Sequence, residues 1–172
     1  MTHATIPGDL PPDVLDKMRR GIAMRMGPMG NFTLDGEAIT HVRVLAVLRA
    51  GLDITASGEI TVRIGTQWCY LTVDDCPLRV LAVTGSGAEP PQMRLDDGRS
   101  VPLDPHTLWD EPERGLRCTA PAADSGRPLP VRFTNRAQMD LAAWLDIADS
   151  GSAALVLGAQ RYPIPSSAPS PT

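Results

Sequence analysis

The stretch "LDITASGEITVRIGTQWCYL", Leu52 to Leu71, returns as "LDIADSGSAALVLGAQRYPI", Leu145 to Ile164, at a constant offset of 93 residues and without a gap. Leu52, Asp53, Ile54, Ser57, Gly58, Gly65 and Gln67 pair with Leu145, Asp146, Ile147, Ser150, Gly151, Gly158 and Gln160. Upstream, Arg43, Leu48 and Ala50 pair with Arg136, Leu141 and Ala143 at the same offset. Each copy ends a helix, turns on Ser-Gly, runs an apolar strand, turns on Gly and returns. The fold class read from this is α+β, with two related helix-plus-antiparallel-sheet units arising from an internal duplication.

The flanking segments fill in the units. In "PDVLDKMRRGIAMRM" Asp13 is a candidate cap for a short helix that Gly21 would end. "GNFTLDGEA" reads as a short strand, Phe32 to Leu34, entering an Asp-Gly turn. "THVRVLAVLRAGL" places Val44, Leu45, Leu48 and Leu52 at helical spacing, with Thr40 as candidate N-cap and Gly51 near the end. From Glu59 to Ile64 the period falls to two, and with "WCYLTVDD" and "LRVLAV" this predicts a three-stranded antiparallel meander. In the second copy, Asn135 is the candidate cap of a helix carrying Ala137, Leu141, Trp144, Leu145 and Ala148 on one stripe. "TGSGAEPPQ" has almost no apolar content and reads as a linker. The predicted organisation is an N-terminal arm with a short helix (1–28), a first α+β unit (29–83), a linker (84–92), a second unit (93–164) and a disordered Pro/Ser tail (165–172).

Composition bounds the function classes. The 172 residues include 42% hydrophobic side chains, enough for a core, and 20 acidic against 16 basic residues give a net charge of -4. The densest basic cluster is the pair Arg19 and Arg20, so no phosphate-tracking surface is evident and nucleic acid is not an expected partner. Cys69, Cys76 and Cys118 form no CxxC and have no histidine at ligand spacing, which argues against a zinc site or a disulfide scaffold. The N-terminus lacks a basic start followed by an apolar run, and nowhere are there 18 consecutive apolar residues. A cytoplasmic protein without membrane partners is expected.

The run "FTLDG", the apolar helix, the Gly-led strand pair, "VDDCPLRV", "VPLDPHTLW" and a "GLRC" strand together resemble the bacterial DUF1285 (domain of unknown function) family, over about residues 30–164. Leu78 stands where that family's "VxDxPF" signature has Phe, and the segment between "DG" and the first helix is compressed. The resemblance implies a duplicated α+β architecture and a ligand-binding or signalling role without established catalytic residues. It carries over no site.

Candidate chemistry is sparse. Asp74 and Asp75 in "VDDCP" have the makings of a cation site or an acid/base pair, although carboxylates before Pro77 commonly form turns. His106 is a candidate general base with no nucleophile near it in sequence. Ser57 and Ser150 lie in Ser-Gly turns and not in GxSxG, and the Gly segments lack Walker or dinucleotide spacing. Cys76 follows Asp75, whose negative charge disfavours a thiolate. Arg63, Arg117 and Arg132 are candidates to line an anion-accepting groove, with solvated strand faces as the plain alternative. Trp68, Trp109 and Trp144 are expected to seat hairpins and helices, one of them free to line a pocket.

The reading that follows is a non-catalytic ligand- or partner-binding module, regulatory or signalling in role, needing no cofactor and no metal. Its expected site residues are Asp74, Asp75, His106, Trp109 and Arg117, at the junction where the "VDDCP" and "LDPHTLW" loops approach. The partner is an unspecified small molecule or protein. A small hydrolase using Asp74, Asp75 and His106 is one alternative, and a structural homo-oligomer, such as a homodimer paired through sheet edges, is the other.

Overall fold

A computed structural model describes residues 11–148 and 151–168; the first part of the N-terminal arm, Ser150 and the end of the Pro/Ser tail lie outside the described residues. The chain divides into two units, Met1–Asp75 and Cys76–Thr172.

In the first unit, α1 (Pro12–Arg20) starts with Pro at its first helical position, where the fixed φ suits the helix and the missing N–H costs nothing. Pro11 therefore occupies the cap position expected for Asp13, and Asp13 falls in the first turn. Gly21 closes the helix, its N–H donating to Lys17 O and Met18 O. The strands β1 (Met24–Met26), β2 (Phe32–Leu34), β3 (Glu37–Ala38) and β7 (Thr72–Val73) form a sheet in the order β3-β2-β1-β7. The turn between β2 and β3 puts Asp35 and Gly36 at φ of 51° and 84°, the two left-handed residues that an Asp-Gly hairpin turn requires.

The helix α2 (Val42–Ala50) has His41 at its N-cap and makes no side-chain cap bond there, so Thr40 lies one residue too early to serve. It leads into a separate three-stranded sheet, β4 (Leu52–Ile54), β5 (Ile60–Ile64) and β6 (Gln67–Tyr70). The meander thus differs from the expected one. Its third strand is β4, and "WCYLTVDD" breaks after Tyr70 so that β7 can pair in parallel with β1. Met26, Phe32, Leu48, Leu52, Val62, Cys69 and Leu71 are buried apolar positions of this unit.

The second unit is built on a six-stranded sheet. Its order is β10 (Ser100–Pro102), β9 (Gln92–Leu95), β8 (Leu78–Thr84), β13 (Pro128–Phe133), β12 (Gly115–Pro121), β11 (Trp109–Glu111). Only the β8–β13 pairing is parallel. Residues 84–92 join β8 to its antiparallel neighbour β9, so their Gly and Pro content serves a hairpin connection inside one sheet. Leu78, Val80, Met93, Leu95, Cys118, Leu129, Val131 and Phe133 fill the core.

The sheet is followed by α3 (Asn135–Leu141), capped by Thr134, whose hydroxyl accepts from Ala137 N at 3.3 Å, rather than by Asn135. A 3-10 turn, Ala142–Trp144, leads to β14 (Leu145–Ile147), β15 (Ala153–Leu157) and β16 (Gln160–Pro163). Leu145, expected on the helix stripe, therefore begins a strand.

The segments α2–β6 and α3–β16 correspond locally in register. Leu52 faces Val62 as Leu145 faces Leu155, and Thr61 faces Tyr70 as Ala154 faces Pro163. Gly58 and Gly151 have φ of 87° and 81°, Gly65 and Gly158 of 60° and 59°. Leu48 and Leu141 are both buried.

Candidate functional site

A polar cleft lies in the second unit, around the loop after β10. Leu103 and Leu108 are buried on either side of a 3-10 turn, Pro105–Thr107, and pin it to the core. Asp104 caps the turn, one carboxylate oxygen accepting from His106 N at 3.0 Å. The Thr107 hydroxyl donates to Asp104 O at 2.9 Å and accepts from Thr119 N at 3.3 Å, tying the loop to β12. These contacts leave the His106 imidazole pointing outward from a fixed backbone.

The opposite wall is β16 and the residues after it. Asp110 N donates to Pro165 O at 2.8 Å, which holds the chain beyond β16 alongside β11. His106 and Tyr162 meet edge to face, 5.2 Å between centroids and 87° between planes, the arrangement that the ring quadrupoles favour. Beside this ring pair opens a cleft of about 550 Å³ lined by Pro105, His106, Gln160, Arg161, Tyr162, Pro163 and Pro165. Tyr162 donates its hydroxyl proton to the Gln160 side-chain carbonyl, and Arg161 pairs with Asp146 on β14. The cleft therefore offers an imidazole, a phenol, a carboxamide and proline walls.

Trp109 and Arg117, in the same unit, do not line this cleft. Asp74 belongs to the first unit, where Arg25 Nε donates to it at 2.8 Å and its own N–H donates to Met26 O at 3.0 Å. That partnership raises the Arg25 pKa, chiefly through the hydrogen bond. Asp75 sits half-buried in the bend after β7. Trp109 is buried in β11, directly across from Arg117.

Arg117 is itself buried. Its Nε lies 2.6 Å from a Glu111 carboxylate oxygen, and its Nη1 donates to Cys76 Sγ at 2.9 Å. The charge in contact with Cys76 is thus a guanidinium, which the sequence neighbour Asp75 did not disclose. Cys118, packed against Met93 at 3.6 Å between sulfurs, has its thiol pKa pushed far up, chiefly by burial.

Of the arginines suggested for a groove, Arg117 stands across from Arg132, and Arg132 across from Arg79 on the next strand. Like charges so placed repel, and carboxylates offset them at both ends, Asp96 at 3.3 Å from Arg79 and Glu111 beside Arg117. Arg63 lies in β5, across from Trp68, in the first unit.

The sequence singled out His106 but missed Gln160, Arg161 and Tyr162. The available signal was "AQRYPIP", where the return strand of the hairpin switches from apolar to polar, aromatic and proline residues. Among the described residues no group of three or more His, Cys, Asp and Glu side chains is placed to hold a metal ion, and no helix is long and apolar enough to cross a membrane.

Two crystal structures share this fold. One is a DUF1285 family protein from Silicibacter pomeroyi DSS-3, with a TM-score of 0.62 and 16% identity, covering 83% of this chain and 79% of that one. The other is a DUF1285 family protein from Shewanella baltica OS155, with a TM-score of 0.55 and 12% identity, covering 71% of this chain and 91% of that one. At these identities the likeness is one of fold. No protein-family model matches the sequence, and no curated protein does.

Proposed function

We propose that this protein is a non-catalytic binding module of the bacterial cytoplasm, regulatory or signalling in role, whose metabolite-sized ligand seats against the joined rings of His106 and Tyr162. The observation that carries this reading is the edge-to-face ring pair in a cleft of about 550 Å³. Fixed aromatic rings offer a stacking surface to a planar ligand, and the Gln160 amide and the His106 ring nitrogens orient it.

The test is a thermal-shift screen of metabolites, nucleotides and divalent cations, followed by calorimetry on His106→Ala and Tyr162→Ala. A native-state ligand raises the melting temperature by mass action. The expected result is a ligand that loses ~10-fold or more in affinity in each variant, about 1.4 kcal/mol, while the unliganded melting temperature stays put. A ligand indifferent to both changes defeats this site. Turnover abolished by Asp75→Asn or His106→Ala would replace the reading with a hydrolase, and a flat screen with concentration-dependent self-association would replace it with a homo-oligomer.

We further infer that the segments α2–β6 and α3–β16 descend from one duplicated unit. The common offset of 93 residues, kept by every strand start from β4 and β14 onward, supports it. In related sequences both segments should keep Leu-Asp at the first strand and Gly at the second turn; relatives that retain the pattern in neither segment would end the idea.

A further inference from the structure

In the first unit α1 buries none of its residues. A surface helix ordinarily docks through an apolar stripe. Here the contacts are cationic and aromatic. The Arg20 guanidinium lies 3.9 Å from the Tyr70 ring centroid, and that of Arg19 lies 4.1 Å from the Trp68 ring. Trp68 and Tyr70 share one face of β6 and meet edge to face at 5.3 Å. Arg20 also donates to both carboxylate oxygens of Glu59, at 2.6 and 3.2 Å, and to Asp16 at 2.7 Å. The Tyr70 hydroxyl completes the ring of contacts by donating to Asp16 at 2.6 Å.

Two aromatic rings and a carboxylate on one hairpin make a recognition site for a planar cation, with the ring quadrupoles attracting it from its faces and the carboxylate fixing its edge. Beside Trp68 an apolar cleft of about 140 Å³ runs between Ile22, Met24, Val62, Ile64 and Cys69. The chain fills the first site with its own Arg19 and Arg20 and lines the second with Ile22, two residues on.

We propose that Trp68, Tyr70 and Glu59 form a binding site for a basic segment of a partner protein, one carrying adjacent arginines followed by an apolar residue, and that α1 is the intramolecular occupant which such a segment displaces. The hold on α1 suits exchange. Exposed ion pairs are individually weak and screened by salt, so α1 keeps its place chiefly through the high effective concentration of a tethered ligand. A partner segment makes the same contacts, and any further contact it brings tips the competition.

The test uses the full chain and an end-blocked peptide with the sequence of residues 17–24, KMRRGIAM, followed by NMR of the Trp68 indole N–H. Removing the internal competitor with Arg19→Ala/Arg20→Ala should tighten peptide binding by ~10-fold or more relative to the wild type. Arg20→Lys keeps the charge and loses the planar stacking, and should give an intermediate affinity. In the wild type, excess peptide should speed amide hydrogen exchange across α1 and leave β5 unchanged. Adding Glu59→Gln and Tyr70→Leu to the double variant should remove the gain. Equal affinity in wild type and double variant overturns the proposal. So does binding that survives the Glu59 and Tyr70 changes, or that persists when both peptide arginines are replaced by glutamine.

Discussion

α2 and α3 start 93 residues apart, and the chain leaves them for the following strands in different ways. Gly51, at the end of α2, lies so close to β5 that a Cβ there would stand 1.9 Å from Arg63 O, and Arg63 N donates to Gly51 O at 2.8 Å. The matching residue in the second unit is Trp144, at the end of a 3-10 turn that follows a shorter helix. The strands beyond both junctions nonetheless pair in the same register. Strand register follows the alternation of apolar residues and the turn glycines, so it is kept although the two junctions differ.

Measurements can break this comparison or sharpen it. The largest effect is expected at the shared core position: Leu48→Ala and Leu141→Ala should each cost roughly 2 to 5 kcal/mol in urea unfolding, because both side chains are buried and leave a cavity. A loss below ~1 kcal/mol at either would show that the two positions are not equivalent. Next is Gly51→Ala, expected to cost about 3 kcal/mol, since the obstacle is backbone and cannot rotate away. Trp144→Phe, with no such constraint, should stay within about 1.5 kcal/mol.

Smaller effects separate the hairpin turns. Gly65 and Gly158 both lie in the left-handed region, so alanine at either costs about 1 kcal/mol. Gly158 should cost more, because its Cβ would come within 2.9 Å of Ala88 while nothing stands within 4 Å of Gly65. Equal losses would mean that the Ala88 loop yields. The smallest expected effect is on α1. Hydrogen bonding, from Tyr70 first for Asp16 and from Arg20 for Glu59, holds both carboxyl pKa values below their ordinary range. Depressed carboxylates stabilise the folded state above their unfolded pKa values, near 4, and that contribution is lost as pH falls through the folded values. Amide exchange across α1 should therefore rise below about pH 4 before the β5 amides respond. Simultaneous loss would mean that α1 unfolds only with the rest of its unit.

Much of the architecture was legible in local pattern. The period-two run at Ile60, Val62 and Ile64, the Asp35-Gly36 turn and the helix over Val42–Ala50 all have short-range causes and lie where the pattern put them. The sheet assignment of "LRVLAV" and "TVDD" was not legible. Whether β8 continues a meander or opens a new sheet depends on a parallel partner, β13, some fifty residues away, and nothing in either strand names the other. The candidate site divided similarly. His106 stood out as a loop histidine, whereas Tyr162 came to it through hairpin closure from the far end of the chain.

The sequence by itself determined the two helix-and-hairpin segments, their turn glycines and their buried leucines, because periodicity and left-handed turns act over a few residues. Only the tertiary structure decided that Arg19 and Arg20 lie on Trp68 and Tyr70, and that Arg117 is buried against Glu111 and Cys76 rather than lining a groove. A guanidinium's environment is made by whatever strand or helix packs beside it, and long-range packing leaves no trace in the residues adjacent to it along the chain.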